Sequence, residues 1–377
     1  MNNKLSHKIL LILTILSIPL IIFLSPLIKK GMNLPNYYNQ LFDKAVITKV
    51  IEEEITDDEV IEGIKNGRQV LEVKVLTGKY KNNIYETVNI IDQSHNVLGK
   101  VGLKIIVGIR ETDEGAKIWV YNYVREYYLY FLALIFAILI IKFGGRQGLN
   151  SLVALIFTAT VFIFIMLPMF FKGYNLIALS IISVTITSVI SFLLIGGFEK
   201  KILVAILGTI SGILVAGIIS FTFSKLTHLS GINLEKGKQL VYAAMDYGVQ
   251  IKGLMFSSIL IASMGAIMDV AMSISSSMYE IYKIDNSISS NKLFISGMNI
   301  GKDIMGTMAN TLILAFMGGS LTVMLMMWGY NMSYYQLINL PFVSAEIIQG
   351  LAGSTGIILT VPFTALMACI IYKKAAL

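Results

Sequence analysis

The chain alternates between long apolar runs and one polar segment near its start. A helix that crosses a bilayer needs about 20 mostly apolar residues, and eight runs reach or approach that length. They lie at residues 9–27, 128–142, 149–171, 176–198, 202–224, 253–278, 306–329 and 348–372. The second run is short, but Tyr127, Tyr128 and Tyr130 extend it as an interfacial aromatic belt. The pattern predicts an α-helical multi-pass membrane protein with about eight transmembrane helices.

The first run resembles a signal peptide in one respect, because Lys4 and Lys8 precede its apolar stretch. The apolar part is long, however, and residues 25–30 offer no cleavage site of the small-x-small type. We therefore expect residues 1–30 to form an uncleaved N-terminal transmembrane anchor. Residues 127–377 are then expected to form a seven-helix transmembrane domain.

Between the first two runs, polar and apolar residues alternate over residues 31–126. Alternation with a period of two, carried by Val, Ile and Tyr, is typical of half-buried β-strands. Five such stretches occur: Lys44–Glu53, Arg68–Leu76, Ile84–Ile91, Leu103–Arg110 and Lys117–Val124. Five short strands over about 80 residues predict a small barrel-like domain of the oligonucleotide/oligosaccharide-binding (OB) type between helices 1 and 2.

Composition excludes a soluble globular enzyme. Of the 377 residues, 55% are hydrophobic and 14% are charged, whereas soluble domains have roughly 25% charged residues. The net charge is +7, but residues 29–127 hold 14 basic and 15 acidic residues. The excess of positive charge therefore flanks the apolar runs and indicates membrane topology, not a nucleic-acid surface.

Lysine and arginine in the short loops predict the orientation, because cytoplasmic loops carry an excess of both. With the N-terminus inside, the cytoplasmic loops and ends hold 11 of these residues and the short outer loops hold 5. Eight spans return the chain to the side where it began. The sequence therefore predicts both termini in the cytoplasm and residues 31–126 outside.

One apolar run carries a carboxylate near its centre. A charged group in hydrocarbon costs at least about 2.5–3.5 kcal/mol, so Asp269 needs a reason. Steps of three and four residues place small and polar residues on its helix face: Ser258, Ala262, Gly265, Ser273, Ser276 and Glu280. Asp269 is a candidate for proton or ion coupling. The alternative is a protonated carboxyl group that joins two helices by hydrogen bonds.

The last two runs carry further polar faces. Asp303, just before the seventh run, shares a helix face with Asn310, and Glu346, just before the last run, shares one with Gln349. Asp303 and Glu346 lie toward opposite membrane faces, with Asp269 between them, which suits a conduction or relay path. Helix capping and close packing also explain these residues. The candidate coupling residues are Asp269, Ser273, Ser276, Glu280, Asp303, Asn310, Glu346 and Gln349.

Runs two to five contain no acidic residue. The fifth run holds Gly208, Gly212 and Gly217 at near-helical spacing. Small residues let neighbouring backbones approach in membranes, so these glycines predict close helix packing.

No metal or cofactor site is predicted. Cys369 is the single cysteine, and His7, His95 and His228 are far apart in the chain. The acidic stretch 52–59 has two interpretations, a cation site or a solvated loop. The chain has no His-Glu-x-x-His motif and no phosphate loop, so an enzyme is not expected.

Three stretches in the C-terminal half carry a resemblance to a known family. They are 265–274 (GAIMDVAMSI), 301–308 (GKDIMGTM) and 346–354 (EIIQGLAGS). With GGRQGL at 144–149 and the barrel-like outer domain, they resemble the YibE/F-like family of bacterial membrane proteins. That resemblance implies a multi-pass protein of the bacterial cytoplasmic membrane. The last three spans are also distantly similar to the RND permease superfamily, including the export component SecF, where an acidic mid-bundle residue serves proton coupling. Asp269 would take that role by analogy.

Two functional hypotheses follow. The leading one is a secondary transporter or permease for a small solute or ion, with coupling through Asp269. The alternative is a non-transporting module that assembles or regulates a protein partner through its outer domain. Besides these partners and the lipid bilayer, no nucleic acid is expected.

Overall fold

The computed structural model describes residues 3–30, 40–112, 115–234, 236–244, 251 and 253–373. Both chain ends and the start of the predicted outer domain (31–39) lie outside the described residues. So do Lys252 and Lys374, which enter the count of loop charges. The chain divides into two compact units, one of Met1–Met32 with Ile140–Leu377 and one of Asn33–Leu139.

Most of the described chain is helical. In chain order the helices are α1 (Asn3–Lys29), α2 (Glu126–Val161), α3 (Leu167–Phe171), α4 (Leu176–Gly196), α5 (Lys200–Leu226), α6 (Gly237–Ala244), α7 (Leu254–Ile284), α8 (Ser290–Gly319), α9 (Leu321–Gly329), α10 (Tyr334–Ile338) and α11 (Pro341–Lys373). A π-helical turn (Phe162–Met166) joins α2 to α3. Polar residues begin several helices. The side chain of Asn175 accepts a hydrogen bond from the N–H of Ala178 at the start of α4.

Six helical stretches among the described residues are long and apolar enough to cross a membrane. Helices α8 and α9, which meet at a bend of 60°, bring the number to seven if the pair is one span. One of the six stretches runs from Glu126 to Phe171 and has 46 residues. A straight helix of that length would extend about 69 Å, more than twice the hydrocarbon thickness of about 30 Å. The predicted count of eight divides this stretch into two spans.

The long stretch breaks at Gly145. Its backbone there has φ 54° and ψ −130°, which is not helical. A Cβ atom at Gly148 would overlap the carbonyl oxygen of Ile140, although residues eight apart in a straight helix are about 12 Å apart along the axis. The chain therefore turns sharply at Gly145, between the predicted second and third apolar runs.

Helices α5, α7, α8 and α11 form the core of the bundle. A Cβ atom at Gly208 would overlap Thr364, and one at Gly212 would overlap Thr360. Gly217 lies against Phe256 of α7 in the same way. The predicted close packing at these three glycines is confirmed.

The unit Asn33–Leu139 contains five strands among its described residues, β1 (Gln40–Asp57), β2 (Lys65–Val75), β3 (Ile84–Ile91), β4 (Lys104–Thr112) and β5 (Gly115–Tyr123). They form one antiparallel sheet in the order β3-β2-β1-β4-β5. The Thr87 hydroxyl on β3 donates a 2.7 Å hydrogen bond to the Ile118 carbonyl on β5, which links the two edge strands. The sheet is therefore a half-barrel, and the prediction of five strands is confirmed.

The acidic stretch of β1 has structural partners. Asp57 forms an ion pair with Lys65 at 2.5 Å, and Asp58 accepts hydrogen bonds from the N–H groups of Val60 and Ile61. Among the described residues, no three His, Cys, Asp or Glu side chains lie together as a metal site would require. Residues 52–57 therefore belong to strand β1, not to the loop of the second interpretation, and only 58–59 lie in the turn that follows.

Candidate functional site: the polar face of helices α7 and α8

Helix α7 has two different faces. Its buried face is apolar and includes Ile259, Leu260, Ile267, Val270, Ile274 and Met278. Its other face carries the exposed residues Ala262, Gly265, Asp269, Ser273 and Glu280, and the exposed Lys283 follows in the last turn. Ser258 and Ser276 are half-buried at its edges. The predicted stripe is therefore one helix face, and it lies on the outside of the bundle.

Asp269 occupies the centre of this face. It lies midway along α7, which runs from Leu254 to Ile284. In the part of the chain that the structure describes, its carboxylate has no hydrogen bond or ion pair. Because a charge at the centre of a transmembrane helix costs about 2.5–3.5 kcal/mol, lipid chains are an unfavourable cover for this side chain.

The neighbouring helix α8 also presents a polar surface. Asp303, Gly306, Thr307 and Asn310 are all exposed on it. The Thr307 hydroxyl donates to the carbonyl of Ile304 at 2.8 Å, so its oxygen is left as an acceptor. We call Gly265, Asp269 and Ser273 of α7, with Asp303, Gly306, Thr307 and Asn310 of α8, the polar face.

The two parts of the polar face lie at the same depth. A short loop joins α7 and α8, which makes them antiparallel neighbours. They touch where the Met278 side chain fills the space beside Gly297. Asp269 on α7 and Gly306 on α8 each lie nine residues from this contact. Nine residues of helix span about 13.5 Å along its axis. Thr307 and Asn310 follow within one turn.

The glycines of the polar face differ from those of the core. A Cβ atom at Gly353 would meet Leu312 and Ser263, and one at Gly356 would meet Ala216. At Gly265 and Gly306 no atom of another described element lies within 4 Å of that position. The space beside each of these core glycines is therefore filled by a neighbouring helix, whereas the space beside the two glycines of the polar face is open.

On α11 the predicted polar residues are placed differently. Gln349 is 5% exposed, and the nearby Ser354 hydroxyl donates to the carbonyl of Ala309 on α8 at 3.3 Å. Glu346 is half-buried and lines a cavity of about 940 Å³. This face of α11 therefore serves packing and the cavity wall.

The cavity lies where α8 bends into α9. Its walls are mostly apolar and include four methionines: Met317, Met324, Met327 and Met332. Residues 306–329 form one apolar run in the sequence, and the 60° bend after Gly319 was not predicted. The signal was present in the sequence as Gly318-Gly319-Ser320, because glycine is a frequent site of helix kinks.

The structure does not bring the eight predicted residues into one path. Five of them are exposed on α7 and α8: Asp269, Ser273, Glu280, Asp303 and Asn310. Ser276 is half-buried, and Gln349 is buried. The described residues do not form the expected relay from Asp303 through Asp269 to Glu346, because Asp269 faces away from α11. The exposed residues of α7 and α8 that lie at similar depth are those of the polar face.

Sequence reasoning missed a buried tyrosine. Tyr372 of α11 is fully buried, and its hydroxyl donates to the Ser275 carbonyl at 3.0 Å. The Ser275 hydroxyl donates to the carbonyl of Lys201 at 2.5 Å, which ties α7 to the start of α5. Tyr279 and Tyr282, one helical turn apart, pack their rings on Tyr372. The two tyrosines follow directly after the predicted run 253–278, and their helical spacing was the available signal.

A family model described as YibE/F-like protein matches residues 132–374, more than half of the chain. The chain belongs to the YibE/F-like family. The YibE/F-like region includes the whole polar face and the buried face of α11, whereas the half-barrel lies before it. No curated protein and no solved structure matches the chain. The similarity to RND permeases stays a prediction.

Proposed function

We propose that this YibE/F-like protein is a subunit of a membrane transporter and that Asp269 is its proton- or cation-coupling carboxylate. The observation that carries this proposal is the exposed Asp269 at the midpoint of α7, on a polar face at membrane depth. Ionisable residues within transmembrane segments mark ion or substrate pathways more often than packing sites.

The polar groups near the depth of Asp269 suit a group that changes its charge. An ionised carboxylate accepts hydrogen bonds, and the Asn310 amide at the same depth can donate one. A protonated carboxyl group donates, and the Thr307 oxygen can accept. The polar face therefore carries a donor and an acceptor near the depth of Asp269, although neither bonds its carboxylate within the described chain.

The proposal includes an orientation. The 11 basic residues on one side against 5 on the other support cytoplasmic termini in a bacterial cytoplasmic membrane. The half-barrel then lies outside the cell.

The test compares cells that produce the natural chain, Asp269→Asn or no protein, at matched membrane levels. An untargeted comparison of intracellular solutes and ions should show the same differences for Asp269→Asn as for the deletion. Asp269→Glu keeps the carboxylate and should restore part of the effect. Asp285→Asn is the control, because an amide oxygen can still accept from the Ser287 N–H beyond the end of α7. Solute contents in Asp269→Asn cells equal to those of the natural chain would reject the coupling role.

A second candidate function is assembly or regulation of a protein partner by the half-barrel. Three aromatic rings on its outer surface favour it. The Phe42 ring lies 4.7 Å from Tyr121 and 6.4 Å from Trp119, and Phe42 and Tyr121 are each 50% exposed. Exposed aromatic groups are enriched at protein interfaces.

Copurification with the full chain tests this second candidate. A partner that is retained by Val60→Ala, at another exposed position, and lost by Phe42→Ala would support it. Absence of any stoichiometric partner, together with solute changes that depend on Asp269, would exclude it.

A further inference from the structure

The polar face lies at membrane depth and is exposed, which is an unstable arrangement for a single copy in lipid. Lipid tails cannot hydrogen-bond the Asp269 carboxylate or the Asn310 amide, and each unsatisfied polar group costs several kcal/mol there. Polar groups of another protein chain can satisfy them. A protein surface that carries such groups would cover this face without that cost.

We infer that a second copy of this chain covers the polar face, related to the first by a two-fold axis along the membrane normal. The inference rests on the proposed function in that it names the partner of the same carboxylate. In such a dimer α7 of one copy lies against α8 of the other, and each interface residue appears twice.

The donors and acceptors of the polar face lie at depths that let two copies of the face pair with each other. A two-fold axis along the membrane normal brings together groups at equal depth. Asp269 lies level with Gly306, and the Thr307 oxygen and the Asn310 amide lie within one turn of it. The carboxyl group of each copy therefore meets an acceptor and a donor of the other, and both copies are satisfied by one contact.

The open glycines point to the same arrangement. In membranes, glycine and alanine on a helix surface allow the backbones of two helices to approach. Gly208, Gly212 and Gly353 are already filled by helices of the same chain. Gly265 and Gly306 are open, and they flank Asp269 at the depth where the second copy is needed.

Cysteine cross-linking in native membranes tests the dimer. Cys369 is the only cysteine, so Cys369→Ala gives a cysteine-free background. Two tagged copies are produced together, one with Gly265→Cys and the other with Asn310→Cys, which lie at matching depth. The control pair replaces the first with Ile218→Cys, because Ile218 is 65% exposed on α5, away from the polar face. Oxidation should give a mixed disulfide between copies for the 265/310 pair and not for the 218/310 pair.

A second variant measures the dimer without a cysteine. Gly306→Leu should fill the open space and lower the dimer fraction, counted by single-molecule photobleaching in nanodiscs, by about tenfold. Gly144→Leu is the matched control, since its Cβ position is also open but lies on α2. Unchanged dimer fractions in Gly306→Leu, a monomeric natural chain, or a Gly265→Cys copy that cross-links only to a different membrane protein would each overturn the inference.

The two proposals fail separately. If the 265/310 pair cross-links but the solute contents do not depend on Asp269, the dimer is supported and the coupling role is rejected. If the protein is a monomer and Asp269→Asn still removes the solute effects, the coupling role is supported and the dimer is rejected.

Discussion

Asp58 organises the turn between β1 and β2 through one carboxylate. It accepts hydrogen bonds from the side chain of Gln93, from the N–H groups of Val60 and Ile61, and from the side chain of Asn66. Each of these bonds favours the ionised form, and together they hold the pKa of Asp58 well below its usual range. The turn therefore depends on a negative charge at residue 58.

Acid should loosen this turn. Because the pKa of Asp58 is lower in the folded chain than the unfolded value of about 3.9, its stabilisation is present above pH ~4 and is lost as the pH falls below that value. Hydrogen exchange of residues 58–66 in the full-length protein, corrected for intrinsic rates, should rise below pH ~4.

Asp58→Asn is the matched variant. It removes the charge, so exchange of the same segment should be raised near neutral pH and should lose this acid dependence. Equal acid dependence in the two proteins would assign the effect to another group.

At the scale of elements, single glycines decide where helices bend. Gly145 has a positive φ and a ψ of −130°, a conformation that residues with a Cβ rarely adopt. No atom lies within 4 Å of its Cβ position, so backbone strain rather than space requires glycine here. The other bend is the 60° turn from α8 into α9. It follows Gly318 and Gly319, where a Cβ atom would meet no other described element.

Gly145→Ala should destabilise the transmembrane unit by about 1–3 kcal/mol, because alanine is strained in this conformation. Gly144→Ala is the control, since Gly144 has open space and is not among the described glycines with positive φ. Thermal unfolding of the purified protein in one detergent compares the two. A transition in Gly145→Ala as high as in Gly144→Ala would show that the break at Gly145 is not strained.

At the scale of the whole molecule, three predicted cytoplasmic segments lie at one end of the bundle. A cavity of about 840 Å³ is lined by the start of α1, by residues around the Gly145 break and by the connection between α4 and α5. His7 from α1 lies 2.8 Å from the carbonyl oxygen of Leu194 at the end of α4. Arg146 and Lys8 both line this cavity, as positively charged cytoplasmic loops would.

Cysteine labelling in intact cells should place these segments. In the Cys369→Ala background, Arg146→Cys should react with a membrane-impermeant reagent only after the cells are opened. Lys81→Cys, in the turn before β3, should react in intact cells, because the half-barrel is expected outside. Labelling of Arg146→Cys in intact cells would contradict both the orientation and the division of 126–171 into two spans.

Much of the architecture could be predicted because membrane spans and alternating strands leave strong local patterns. The five strands and the packing role of Gly208, Gly212 and Gly217 follow from periodicity and small side chains. The bend after Gly319 and the burial of Tyr372 did not, because both depend on which helices meet. Of the candidate site, periodicity predicted the exposed face of α7 that carries Asp269, whereas the matching depth of Gly306 on α8 depends on which helices meet.

The sequence by itself determined that this chain is a membrane protein with one polar segment between apolar runs and one mid-span carboxylate, because hydrophobicity and charge are local properties. Its periodicity also placed Asp269, Gly265 and Ser273 on a single helix face. Only the tertiary structure decided that the small residues of α11 pack against α5, whereas the face of α7 that carries Asp269 lies on the surface of the bundle. A helical pattern fixes which residues share a face, whereas the neighbour of a face is set by contacts far apart in the chain.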